Sequence, residues 1–89
     1  MSEIKGDYDR FESLEEFVDN ISRGGEIEFT YRGFKYSITH SKGKICFIQI
    51  GNGSSRIVFD SINELLNYVI EGDKIKDIVR IINPYFRCF

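Results

Sequence analysis

The chain has 89 residues, with eight Phe and five Tyr and a formal net charge of −2. This length suits one domain, residues 1–89, with a single modest core, and no apolar run reaches the roughly 18 residues of a membrane-spanning helix. Because the N-terminus lacks the basic and apolar regions of a signal peptide, the two cysteines predict reduced thiols in a cytoplasmic protein.

A polar N-terminal tail, residues 1–12, precedes a predicted helix. Ser13 and Glu16 match the capping box, in which each side chain accepts a hydrogen bond from an otherwise unpaired N–H group. Gly24 lies where such a helix ends. The apolar residues behind the cap follow the helical spacing i, i+3, i+4, i+7, and they are Leu14, Phe17, Val18 and Ile21.

A β-hairpin is predicted next. Apolar and polar residues alternate through residues 26–31 and 34–39, the period of a half-buried strand. Arg32-Gly33 between them forms a two-residue turn, with Gly33 able to take a positive φ. Pairing across this turn collects on one face the side chains of Ile27, Phe29, Tyr31, Phe34, Tyr36 and Ile38.

The turn at residues 41–43 sets the faces of the third strand. A two-residue loop would place Gln49 opposite Tyr36 and bring a polar side chain into the apolar face. A three-residue loop with left-handed Gly43 places Ile48 there instead. The hydrophobic pattern therefore predicts the three-residue loop.

Asn52-Gly53 is a strong hairpin signal and predicts a fourth strand, in which Ile57 faces Ile48 and Phe59 faces Cys46. Ser61 and Glu64 repeat the capping box, and Gly72 ends that second helix. A third helix ends before Pro84, and an aromatic tail follows at residues 85–89. The two helices carry apolar stripes formed by Ile62, Leu65, Leu66, Val69 and by Ile75, Ile78, Val79, Ile82.

These elements predict an α+β domain with a four-stranded antiparallel β-meander, preceded by one helix and followed by two. No residue set predicts a catalytic site, a metal site or a cofactor. His40 has no nucleophile or carboxylate partner in the pattern, and neither Cys46 nor Cys88 belongs to a CxxC pair. The Gly51–Ser55 segment opens a strand, whereas phosphate-binding loops open a helix. We therefore expect a protein that is not an enzyme.

The second face of the predicted sheet carries Ile45, Phe47 and Val58 as an apolar cluster on the side expected to be wet. Such clusters often mark partner sites, although the third helix or the aromatic tail could instead cover this one. The candidate interaction surface consists of Lys35, Ile45, Phe47, Gln49, Arg56 and Val58.

Charge is unevenly distributed along the chain. The charged side chains of residues 1–28 are mostly acidic, whereas those of residues 29–59 are all basic: Arg32, Lys35, Lys42, Lys44 and Arg56. This distribution indicates either intramolecular complementarity, with lysines that protect strand edges, or a basic binding surface. The pattern favours a protein partner or a homo-oligomer, with weak nucleic-acid binding through the basic sheet as the alternative.

Three segments carry a resemblance to a known group of proteins: Gly24-Gly25-Glu26-Ile27-Glu28-Phe29-Thr30-Tyr31, Tyr36-Ser37-Ile38-Thr39 and Lys74-Ile75-Lys76-Asp77-Ile78. Together they resemble small uncharacterised proteins of Gram-positive bacteria and their mobile elements, over most of residues 13–82. The resemblance implies a small intracellular accessory protein of bacterial or prophage type and no particular activity.

Overall fold

The computed structural model describes residues 10–51 and 56–88. Five strands form one antiparallel sheet in the order β4-β3-β2-β1-β7: β1 (Glu26–Tyr31), β2 (Phe34–Ser41), β3 (Lys44–Ile50), β4 (Arg56–Phe59) and β7 (Asn83–Cys88). The other elements are α1 (Leu14–Ser22), α2 (Ile62–Leu66), β5 (Val69–Ile70), β6 (Asp73–Lys74) and α3 (Ile75–Ile78). The predicted α+β class and antiparallel sheet are confirmed, but the sheet has a fifth strand and the last two helices are short.

Helix α1 begins as the capping box predicts. The Ser13 Oγ accepts a hydrogen bond from the Glu16 backbone N–H at 3.1 Å. In return, Glu16 Oε1 accepts one from the Glu12 N–H at 2.7 Å. The first bond satisfies a donor that the opening turn of the helix leaves unpaired, and the second bonds the residue before the N-cap rather than Ser13 itself. The helix buries Phe17 in the core.

The first hairpin has the predicted register. Its turn residues, Arg32 and Gly33, have φ values of 50° and 85°, the left-handed conformations of a tight two-residue turn whose twist matches that of the strands. The pairs that form across it are Ile27 with Ile38, Phe29 with Tyr36, and Tyr31 with Phe34.

The three-residue loop predicted between β2 and β3 is wrong. Lys42 and Gly43 have φ values of 52° and 79° and form a two-residue turn, so that Tyr36 pairs with Gln49 rather than with Ile48. Two physical reasons explain the error. Strand β3 is apolar on both faces, so alternation does not select one of them, and Gln49 lies at a strand end beside an open cleft, where a polar side chain carries no burial penalty.

Strand β4 is also displaced by one residue from its predicted partners, because Ile57 pairs with Phe47. Since β3 is itself turned over relative to the prediction, β4 keeps its predicted faces, with Arg56 and Val58 on the side away from the helices. The predicted Asn52-Gly53 turn lies outside the described residues.

The sequence predicts a second helix that continues through Val69 and ends at Gly72, but α2 ends at Leu66. Its start is as predicted, since Ser61 Oγ accepts a hydrogen bond from the Glu64 N–H at 3.3 Å. Beyond it, Glu71 and Gly72 have φ values of 48° and 87° and make a tight turn between β5 and β6. β-Branched residues before a two-residue turn favour this hairpin over a further helical turn.

The third apolar stripe is buried as predicted, although only its first half is helical. Ile75 and Ile78 lie in the single turn of α3. The chain then turns, with Ile82 N–H donating to the Ile78 carbonyl oxygen at 3.1 Å, and both Val79 and Ile82 are buried. The apolar spacing from Ile75 to Ile82 therefore predicts which residues are buried, although it does not predict the extent of the helix.

Both segments predicted as tails contain structural residues. Phe11 is buried, with its ring edge-on to Phe17 at a centroid separation of 5.2 Å; residues 1–9 lie outside the described residues. Most of the C-terminal segment 85–89 belongs to β7, which pairs antiparallel with β1 through a bulge. An edge strand otherwise exposes unpaired backbone groups, and β7 supplies partners for those of β1.

The helices and the small hairpin share one core with a single face of the sheet, here called the inner face. That core contains Phe17, Ile21, Leu65, Ile70, Ile75 and Ile78 beside Ile27, Phe29, Tyr36, Ile38, Ile45, Phe47 and Phe59. The opposite side, the outer face, carries strand residues that alternate with these, among them Glu26, Glu28, Thr30, Lys35, Ser37, Thr39, Lys44, Cys46, Ile48, Ile50, Arg56, Val58 and Phe86. Tyr85, at the bulge of β7, lies beside Lys35 on the same side.

Candidate functional site

The chemistry of the outer face changes across the sheet, from basic and aliphatic residues on the β4 side to acidic and aromatic residues on the β7 side. One row of paired residues crosses all five strands, and its members in order from β4 to β7 are Arg56, Ile48, Ser37, Glu28 and Phe86. Such cross-strand neighbours lie close enough for their side chains to interact. The two ends of the row therefore differ in both charge and chemistry.

Large apolar side chains remain exposed on this face. The exposed fraction is 46% for Val58, 41% for Ile50, 39% for Phe86 and 37% for Tyr85. Among the described residues, the elements proposed to cover the face do not do so, because α3 packs into the core and the C-terminal segment lies within the sheet as β7. Cys46 is nevertheless buried by its neighbours on the face.

Charges of opposite sign lie on the two sides of β2. Arg56, on β4, places its Nη2 atom 3.3 Å from the Cys46 Sγ, while Glu26 and Glu28 belong to β1. Lys35, in the middle, holds its Nζ 5.7 Å from the centroid of the Tyr85 ring. Burial raises the pKa of the Tyr85 hydroxyl, and the Glu28 carboxylate raises it further.

The structure divides the six candidate residues between the two faces. Lys35, Arg56 and Val58 lie on the outer face, as predicted. The placement of the other three is wrong: Ile45 and Phe47 are buried in the core, and Gln49 lies on the inner face opposite Tyr36. The corrected apolar residues of the outer face are Ile48, Ile50, Val58, Tyr85 and Phe86.

A concave surface opens at the end of the inner face, between the sheet and the β5–β6 hairpin. We call it the tyrosine cleft. It has a volume of about 350 Å³ and is lined by Tyr36, Phe47, Gln49, Ile57, Tyr68, Val69, Ile70 and Glu71. Sequence reasoning missed this cleft; its one local signal is the Glu71-Gly72 pair, which is typical of the two-residue turn in the hairpin that forms one wall.

Two tyrosines and one carboxylate, Tyr36, Tyr68 and Glu71, are among the residues that line this cleft. Burial raises the pKa of the Tyr36 hydroxyl, and the negative charge of Glu71 raises it further. Nearby, the Tyr31 hydroxyl donates a 2.6 Å hydrogen bond to Asp73 Oδ2. The guanidinium of Arg32 lies 3.6 Å from the same carboxylate oxygen.

The remaining candidate residues of the sequence do not form a catalytic or metal site among the described residues. His40 Nε2 lies 3.0 Å from the Gly25 carbonyl oxygen, a contact between β2 and the connection from α1 to β1. Within residues 10–51 and 56–88, no three His, Cys, Asp or Glu side chains cluster as metal ligands would. No helix in those ranges has the length and apolar character needed to cross a bilayer.

Comparison with protein-family models, with curated proteins and with solved structures finds no match to this chain.

Proposed function

We propose that the protein is a non-enzymatic self-association module whose outer face binds the outer face of a second copy. The observation that supports the proposal is the order of residues along the central row, with Arg56 at one end and Glu28 beside Phe86 at the other. A surface with opposite charges on its two sides is complementary to a rotated copy of itself. Exposed Val58 and Ile50 supply the apolar area that drives such contacts.

The strand order and the charges along the row support one geometry for the proposed dimer. A twofold axis that runs parallel to the strands, over β2, places β4 of one copy on β7 of the other and β3 on β1. Arg56 then lies against Phe86 of the second copy and one strand from its Glu28, where a cation–π contact and an ion pair are both possible. The interface is isologous, so each contact occurs twice.

The area of the outer face is sufficient for a dimer of modest affinity. Five strands about 4.8 Å apart, each contributing about six residues at about 3.3 Å, cover on the order of 500 Å² per copy. The two copies together bury about 1,000 Å², the lower bound for a specific interface. An interface at this lower bound suits a reversible association that depends on protein concentration.

Charge reversal provides the test. Glu28→Arg alone and Arg56→Glu alone each place like charges against each other twice, and each variant should sediment as a monomer at concentrations where the wild type dimerises. Mixed together, the two variants restore opposite charges at both contacts and should form a heterodimer. Sedimentation velocity measures all four samples.

The control is Glu15→Arg, which makes the same charge change on an exposed position of α1, away from the sheet; it should dimerise like the wild type. Circular dichroism checks that every variant is folded. A wild type that stays monomeric at high micromolar concentration, or variants that fail to associate when mixed, would contradict the proposal.

The same variants address the alternative, nucleic-acid binding, which rests on Lys35 and Arg56. Binding to phosphates should weaken in Arg56→Glu, strengthen in Glu28→Arg and fall steeply with salt. Because Glu26 and Glu28 share the face with Lys35 and Arg56, and because Lys44 on the same face is paired with Asp60, we expect no salt-dependent binding of single-stranded DNA or RNA by the wild type.

A further inference from the structure

The twofold axis of the proposed dimer runs along β2, so each outward-facing residue of β2 lies opposite its own counterpart in the second copy. These residues include Lys35, Ser37 and Thr39. Lys35 is the charged member of this series. The dimer therefore places two Lys35 side chains against each other at one end of the axis.

The Lys35 ammonium group has no carboxylate partner within its own copy. Among the described residues, none of the ion pairs includes its Nζ, which instead lies 5.7 Å from the centre of the Tyr85 ring. Arg32, in the adjacent turn, is by contrast held 3.6 Å from Asp73. The charge of Lys35 is thus available to a ligand.

The acidic residues of the outer face do not neutralise two opposed lysines. Glu28 is a diagonal neighbour of Lys35, and in each copy it is the carboxylate proposed to face Arg56 of the other. Glu26 lies four residues along β1 from Thr30, the partner of Lys35, or about 13 Å away at about 3.3 Å per residue. The pair of lysines therefore needs a counter-ion.

The cross-strand row that contains Lys35 supplies further donors and no carboxylate. Its members are Ile50 on β3, Lys35 on β2, Thr30 on β1 and Asn83 on β7. Thr30 carries a hydroxyl one strand from the axis, a distance of about 4.8 Å. In the dimer, two ammonium groups and two hydroxyls surround one point on the axis.

We propose that the dimer binds one tetrahedral oxyanion, inorganic phosphate, on its twofold axis between the two Lys35 side chains, with the two Thr30 hydroxyls as further donors. The inference rests on the proposed self-association of the outer face. Facing sheets pack about 10 Å apart, and the four-carbon stems of two opposed lysines bring both ammonium groups to the middle of that gap. An oxyanion there accepts charge-assisted hydrogen bonds from both copies and replaces a repulsion between like charges with two attractions.

The symmetry of the site favours a free oxyanion over a phosphate ester. A tetrahedral ion has twofold axes of its own, so it presents equivalent oxygens to the two copies. A phosphate monoester has no such axis, because one of its oxygens carries the ester group. Chloride has one charge rather than two and should neutralise the pair of lysines less well.

Sedimentation velocity in sodium chloride and in sodium phosphate of equal ionic strength tests the site, near pH 8, where a phosphate group carries about two charges. Phosphate should raise the association constant of the wild type by about tenfold when its concentration is about ten times the Kd of the site. Phenyl phosphate at the same concentration should give a smaller increase. An equal increase with phenyl phosphate would overturn the placement of the anion on the axis.

Three variants locate the site. Lys35→Met keeps the length of the side chain without its charge, so it should dimerise more tightly than the wild type in chloride and lose the response to phosphate. Thr30→Val removes the hydroxyl and should reduce that response. The matched control is Lys42→Met, which removes an exposed lysine from the β2–β3 turn and should respond like the wild type. A phosphate response that persists in Lys35→Met, or disappears in Lys42→Met, would show that Lys35 does not hold the anion.

The failure of the anion site and the failure of the dimer give different results. A wild type that stays monomeric in both salts would contradict the dimer and the anion site with it. A wild type that dimerises equally in both salts would contradict the anion site alone. Circular dichroism checks that each variant is folded.

Discussion

The register of β3 makes a strong prediction about Phe47. In the structure this ring is 2% exposed, stacked on Tyr36 at 5.4 Å and edge-on to Tyr68 at 5.5 Å. Under the alternative three-residue loop it would lie on the outer face. Phe47→Ala therefore measures which face β3 turns toward the helices.

The expected loss of stability follows from the volume removed. A residual cavity of about 100 Å³ costs roughly 2.4 kcal/mol at about 24 cal/mol per Å³, and the lost burial of the ring adds about 1.5–3 kcal/mol. Because Phe47 also lines the tyrosine cleft, water can enter part of the space and lower the cost. We expect a decrease of about 3–4 kcal/mol in the free energy of unfolding, a large share of the total for a domain of this size.

Urea denaturation provides the measurement, with Phe34→Ala as the matched control. Phe34 is 42% exposed and pairs with Tyr31 at the end of the hairpin, so its truncation should cost less than about 1 kcal/mol. At a slope of about 1–1.5 kcal/mol per M of urea, the denaturation midpoint of Phe47→Ala should lie at least roughly 2 M below that of the wild type. Equal midpoints for the two variants would refute the register of β3 and would indicate that the Phe47 side chain lies on the exposed outer face.

Two further predictions concern charge and pH. Glu16→Ala removes the carboxylate that accepts from the Glu12 N–H and that lies 3.3 Å from Arg87, whose side chain is only 8% exposed. Because the carboxylate is itself partly exposed, we expect the free energy of unfolding in urea to fall by only about 1–2 kcal/mol. The control, Glu15→Ala, should lower it by almost nothing. The raised pKa of Tyr36 means that the folded state holds this proton more tightly than the unfolded state does. The contribution of this proton to the free energy of unfolding is therefore complete below the ordinary tyrosine pKa of about 10. It is lost as the pH rises through the higher pKa of the folded state. In urea unfolding between pH 8 and pH 11, Tyr36→Phe should flatten this alkaline decline, and an unchanged slope would count against the raised pKa.

The sequence determines those parts of the fold whose signals are local. The caps at Ser13 and Ser61 place two helix starts, because the side chain bonds to an amide three residues away. The Arg32-Gly33 turn and the alternation on either side of it agree on one register, so the first hairpin is predictable. The apolar stripe ending at Ile82 predicts burial correctly even where the helix does not form.

Tertiary structure decides what local signals leave open. Strand β3 is apolar on both faces, so only its pairing with β2 and the packing of the helices turn Phe47 inward and leave Ile48 outward. The C-terminal segment becomes β7 because the free edge of β1, more than 50 residues earlier in the sequence, offers it hydrogen-bond partners. Those two long-range choices create the outer face as it stands, with Arg56 and Phe86 at opposite ends of a row assembled from five strands.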